Sequence, residues 1–249
     1  MNSIFRLIIG AGAVFSFLFI YPAFSFAVSE NVPILMYHYI RDCNCPKDKA
    51  GMILSVSPVN FDQQMGYLSA HGYTPITLDT LAAIYANQAF SPAKPVVLTF
   101  DDGYIDFYAN AYPILKKYGF HAISFISTGL IGRSAYMSWD NIKELQKSRL
   151  VSFEAHTISH AYLPKLSYQQ IIKELQESKN TLQSQTGIPV NFVAYPYGAL
   201  NEAVIQAAQS AGYIGGIGTW FGKAYGTTMN MPRVRVNGGF PLSLFASRL

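Results

Sequence analysis

Two short clusters in this 249-residue sequence carry residue types that do chemistry. In VVLTFDDGY, Asp101 and Asp102 stand directly after a run of β-branched and apolar residues. Adjacent carboxylates repel one another, and a nearby cation relieves the repulsion. In FEAHTISH, His156 and His160 follow another short apolar run, VSF, at i and i+4. On one helical turn that spacing points both imidazoles the same way, so that they can share a metal ion. Each cluster alone has a plainer reading: an Asp can cap the helix that follows it, and two histidines can decorate a solvated helix face. Taken together, two imidazoles and one carboxylate with positions left for water make an open site of the catalytic type. Such a site suits Zn2+, with Co2+, Ni2+ or Fe2+ as alternatives.

The elements that must position these clusters repeat one grammar. YLSAHGYTPIT (67–77), ILKKYGFHAISFI (114–126), LQSQTGIPVNFVAY (182–195) and AAQSAGYIGGIG (207–218) each read as a helix stopped by a left-handed glycine and followed by a strand. Helix-then-strand alternation implies parallel strands joined by helical crossovers, in a sheet that is either open or closed into a barrel. An irregular barrel is expected, with strands near 33–39, 73–77, 95–100, 122–127, 151–155, 191–194, 213–218 and 232–236. The clearest helix spans 168–185, where Ile171, Ile172, Leu175 and Leu182 recur opposite Lys173, Glu174, Glu177 and Lys179. Both chemical clusters end a strand and so fall at the carboxyl rim, where parallel α/β folds gather their functional groups. The glycine-containing stretches 127–136 and 220–231 are expected as loops at the mouth of that site.

TFDDG, HTISH and FVAYPYG resemble, in order and spacing, the three leading motifs of the polysaccharide deacetylases, the NodB-like carbohydrate esterase family 4. The resemblance spans roughly residues 33 to 236. The exported poly-β-1,6-N-acetylglucosamine deacetylases come closest within it, because they too begin with a strand like PILMYHYI. The resemblance implies a distorted (β/α) barrel of about seven parallel strands and hydrolytic removal of acetyl groups from N-acetylglucosamine units of an exported polysaccharide. It implies Asp101 as general base and Asp102, His156 and His160 as metal ligands. Tyr197 would offer its backbone N–H to the oxyanion, with Pro196 fixing the chain ahead of it. Poly-β-1,6-N-acetylglucosamine is the first expected substrate. Peptidoglycan, chitin oligomers, acetylated xylan and a catalytically silent glycan-binding role are the alternatives.

Two departures from the family pattern shape the expectations. Many members carry an Arg where this chain has Ala194, and that Arg steadies the base. Arg233 or Arg235, in PRVRV, could take its place, or could instead bind substrate or stand as solvated strand-edge charges. Many members also draw a general acid from a late Leu-x-His motif, whereas the histidines here are 38, 71, 121, 156 and 160. His38, ending PILMY, is the expected substitute, as it is in the poly-N-acetylglucosamine subgroup it resembles. His71 and His121 sit beside helix-ending glycines and suit C-cap charge complementarity. Trp139 occupies a position often held by Trp in the family and could line the acetyl pocket or only pack its helix.

Bulk properties narrow the rest. A formal charge of +4 with 13% charged residues leaves no basic footprint of the kind nucleic acid requires. The two cysteines, Cys43 and Cys45, read as a loop pair without a catalytic role. Arg6, the apolar run from Leu7 to Ile20 and the small-x-small site at Ser25 to Ala27 read as a signal peptide over 1–27. That reading leaves one domain over 28–249, exported to the periplasm, the cell surface or the medium, monomeric, and tied to a membrane only through an uncleaved leader.

Overall fold

The apolar runs become parallel strands because each is covered on both faces, which permits uninterrupted Val, Leu and Ile. The computed structural model describes residues 31–249 other than 44 and 45, so the leader expected over 1–27 and Cys45 lie outside the described residues. The strands are β1 (Ile34–Tyr37), β2 (Tyr39–Ile40), β3 (Ser55–Val56), β4 (Thr74–Pro75), β5 (Pro95–Phe100), β6 (Ala122–Ile126), β7 (Val151–Ala155), β8 (Phe192–Ala194), β9 (Gly215–Phe221) and β10 (Met231–Arg235). Seven of them run β1-β10-β9-β8-β7-β6-β5, and β5 pairs back onto β1 from Ile34↔Val97 to Tyr37↔Phe100, closing a parallel barrel. Short β4 extends the start of β5, and β2 with β3 forms a separate two-stranded pair.

Alternation along the strands divides the apolar residues between two cores. Ile34, Val97, Ile123, Phe125, Phe192, Ile217 and Met231 fill the barrel together with Leu78, Leu81 and Ile84 of the helix Leu78–Tyr85. Leu35, Leu98, Phe153, Val193 and Val234 face outward beneath the surrounding helices. The longest helix, Tyr168–Thr186, is opened by a Ser167–Gln170 capping box and closed by left-handed Gly187, and so ends within a residue of its expected span. In β9 the glycines serve packing: a Cβ on Gly216 would lie 2.3 Å from the Tyr195 hydroxyl. The expected strand 213–218 begins later and runs on to Phe221, and the expected strand 73–77 contracts to two residues.

Candidate metal centre and active site

The carboxyl halves of the barrel strands and the residues directly after them place polar side chains at one rim. β1 delivers His38, β5 delivers Asp101 and Asp102, β7 delivers His156, β8 leads into Tyr197, and β9 and β10 contribute Thr219 and Arg235. All of these line one open cavity of about 330 Å³, joined by Tyr39, Asp48 and Tyr104. Tyr39 and Tyr104 stack with centroids 4.0 Å apart, and the Arg41 guanidinium covers Tyr39 at 3.7 Å.

Asp102, His156 and His160 present ligand atoms that all lie within 4.8 Å of one another. Asp102 Oδ1 is 3.2 Å from Nε2 of His156 and 3.2 Å from Nε2 of His160. His156 Nδ1 lies 2.7 Å from the Ala194 carbonyl, which can only accept, so the proton sits on Nδ1 and the Nε2 lone pair faces the carboxylate. Asp102 Oδ1 is buried and accepts no hydrogen bond among the described residues. Lone pairs converging in this way require a proton or a cation between them. Burial alone would lower the His156 imidazole, but Asp102 beside it and Asp101 behind it hold it above its ordinary value. These residues therefore fit a divalent cation with an N2O donor set.

The two histidines do not share a helical turn, which corrects the expectation drawn from their spacing. His156 leaves β7 in irregular chain, and Thr157 (φ +65) and His160 (φ +58) both adopt the left-handed region. That region is uncommon for any residue other than glycine and rarer still for a β-branched one. Thr157 Oγ1 accepts from His160 N–H at 3.0 Å, and the resulting tight loop brings the rings 4.9 Å apart.

Asp101 is held by a two-pronged pair with Arg233, Nη1 to Oδ1 and Nη2 to Oδ2, each at 2.7 Å. Arg233 also donates through Nε to the Gly218 carbonyl and through Nη1 to Thr99 Oγ1. Burial pushes the Asp101 carboxyl up, but Arg233 outweighs it and holds the group far below the usual carboxylate range. Arg233 is 0% exposed, so the expectation that it binds substrate is corrected: it has no surface to offer a glycan. Arg235, two residues along the same inward-facing row, is exposed and reaches the cavity instead. His38 Nε2 stands 3.8 Å from Asp101 Oδ2, and burial lowers its pKa against the opposing pull of Asp101 and Asp102.

Tyr197 takes a left-handed conformation (φ +62) in the short turn Pro196–Gly198 and exposes 63% of its surface at the cavity wall. Pro196 is buried beneath that turn. Trp139 opens the helix Trp139–Lys147, packs on the outer core and is not among the residues that line this cavity. Tyr39, Asp48, Tyr104 and Thr219 were not singled out from the sequence. Tyr104 alone carried a signal, two residues beyond Asp102 in FDDGY.

The comparisons with known proteins agree with this geometry. A match described as polysaccharide deacetylase covers residues 89–215. The Bacillus subtilis (strain 168) protein YxkH is 34% identical over 219 residues, 87% of this chain and 75% of the relative. The poly-beta-1,6-N-acetyl-D-glucosamine N-deacetylase of Staphylococcus aureus (strain MSSA476) is 32% identical over 199 residues, 72% of this chain and 68% of the relative. Among solved structures, the Streptococcus pyogenes deacetylase PplD in complex with acetate superposes with a TM-score of 0.81 at 32% identity, covering 88% of this chain and 97% of that one. With a family match over half of its length and relatives of this identity and coverage, the chain belongs to the polysaccharide deacetylase family.

Proposed function

We propose that this deacetylase removes N-acetyl groups from poly-β-1,6-N-acetylglucosamine, with a divalent cation, most simply Zn2+, held by Asp102, His156 and His160. The observation that carries the reading is the junction of the three-ligand cluster with His38 and Asp101 in one cavity. A bound cation would polarise the acetyl carbonyl and lower the pKa of water. Asp101, kept ionised by Arg233, takes the proton of the attacking water. His38 gives a proton to the departing nitrogen, which leaves poorly as an unprotonated amide. The backbone N–H of Tyr197 is the donor assigned to the developing oxyanion. The identity of the glycan is supported by the likeness to the Staphylococcus aureus enzyme. Residues 28–249 form the deacetylase domain, and the leader-like segment 1–27 supports action outside the cytoplasm.

The test is direct. Purified protein should release acetate and free amine in equal amounts from a soluble β-1,6-linked N-acetylglucosamine oligomer, lose this activity to a chelator, and regain it with Zn2+, Co2+ or Ni2+. Faster turnover of chitin oligomers or acetylated xylan would reassign the substrate. Glycan binding without turnover in any metal would overturn the catalytic reading.

A further inference from the structure

The loop that joins the two histidines is strained at both Thr157 and His160, and strained backbone persists only where its surroundings over-determine it. Two neighbours do so here. From the chain directly after β6, Ser127 Oγ donates to the His156 carbonyl at 2.9 Å, Thr128 N–H to the Thr157 carbonyl at 3.1 Å, and Gly129 N–H to the Ile158 carbonyl at 2.9 Å. From the helix Tyr168–Thr186, Ser178 Oγ donates to the Thr157 carbonyl at 3.0 Å. The same helix supplies Glu174, whose Oε2 accepts from both Ile158 N–H and Ser159 N–H at 2.9 Å while Oε1 accepts from Ser159 Oγ at 2.7 Å. Two successive backbone N–H groups turned to one side form an anion-binding nest, and Glu174 fills it with both carboxylate oxygens in use.

We infer that Glu174 is a positioning residue for the metal centre. Its carboxylate locks residues 158 and 159, and thereby fixes the separation and aim of the His156 and His160 imidazoles, without touching the cation or the substrate. The sequence pattern places Glu174 with Lys173 and Glu177 on the polar face of its helix, where a carboxylate would ordinarily do nothing but meet water. Groups one step removed from a metal are commonly worth 10- to 100-fold in metal affinity. The inference rests on the metal-binding reading proposed above.

The experiment is Co2+ binding to the full chain, read by competition with a chromophoric chelator and by the visible ligand-field spectrum. Glu174→Ala should weaken Co2+ binding by at least tenfold and alter the spectrum. Glu174→Gln should stay near wild type, because its amide oxygen can accept from both N–H groups and its nitrogen can donate to Ser159 Oγ. Glu177→Ala, an exposed carboxylate on the same helix, should change nothing. Should Glu174→Ala fail to fold, Ser159→Ala, which removes only the Oε1 bond, should still weaken binding measurably. Wild-type affinity and spectrum in a Glu174→Ala protein that is merely less heat-stable would overturn the inference and leave Glu174 an ordinary stabilising contact. No Co2+ binding by the wild type would instead overturn the metal reading, and this inference with it.

Discussion

Arg233 and Asp101 form a desolvated ion pair, and its two halves are unequally replaceable. Removing Arg233 would strand a carboxylate that is 3% exposed, and breaking a buried pair costs about 3–5 kcal/mol. Arg233→Ala is therefore expected to lower stability in urea by that order and to move the acid limb of the pH–rate profile upward, since Asp101 would no longer be held ionised. Lys restores the charge but not the fork, so Arg233→Lys should fall between the two; equal behaviour of the Ala and Lys variants would show that geometry is immaterial. His38 calls for a different measurement. His38→Ala should cut kcat on an N-acetyl substrate by about 10²- to 10⁴-fold and far less on an aryl acetate, whose phenolate leaves without a proton. Equal losses on both would mean that His38 serves packing. The sequence exposed the chemistry of these positions but not their depth: Arg233 and Arg235 share one face of β10, and which level lies below the rim depends on the staggering of the barrel, which no local pattern encodes.

Among the elements, the turn after β8 is the most exacting. Gly198 is left-handed (φ +68), and a Cβ there would lie 2.2 Å from Thr219 Oγ1 and 2.8 Å from Thr219 N. Gly198→Ala should thus push the turn off β9, cost about 1–3 kcal/mol as overpacking does, and reduce kcat by tenfold or more through a displaced Tyr197. Gly187 supplies the control, being left-handed (φ +71) with open space around it. Gly187→Ala should cost only about 1–2 kcal/mol of backbone strain and leave kcat unchanged; comparable kcat losses in both variants would refute a local role for the Tyr197 turn. The helices and their glycine stops were legible because amphipathic spacing and left-handed caps are local properties. The histidine loop was not. Its spacing fits a helical turn, and the left-handed Thr157 is sustained by contacts from the chain just after β6 and from a helix beginning eight residues beyond His160, neither visible in HTISH.

Closure of the barrel is a property of the whole chain, since helix-then-strand alternation serves an open sheet equally well and only the return of β5 onto β1 decides the matter. Stability is likewise a whole-molecule quantity, and its pH dependence follows from groups whose pKa differs between folded and unfolded chain. Two buried carboxyls stand out. Burial lifts Asp106 to about 6, with Arg41 opposing it, and lifts Glu154 to about 8, although Glu154 Oε2 accepts from Asn191 and Phe192 N–H groups at 2.9 and 2.8 Å. In the unfolded chain both would ionise near pH 4. A raised folded pKa contributes stability that is fully present below the unfolded value and is lost as pH rises through the folded one. Asp106→Asn should thus match wild type in urea unfolding near pH 4 and surpass it progressively up to pH 6, with a constant difference beyond. Glu154→Gln keeps an acceptor for the two N–H groups and cannot ionise, so its advantage should keep growing to about pH 8, at up to about 1.4 kcal/mol per pH unit. The separate end points of the two windows make the test specific: an advantage for either variant that does not change with pH would show that the substituted carboxyl was not titrating with folding.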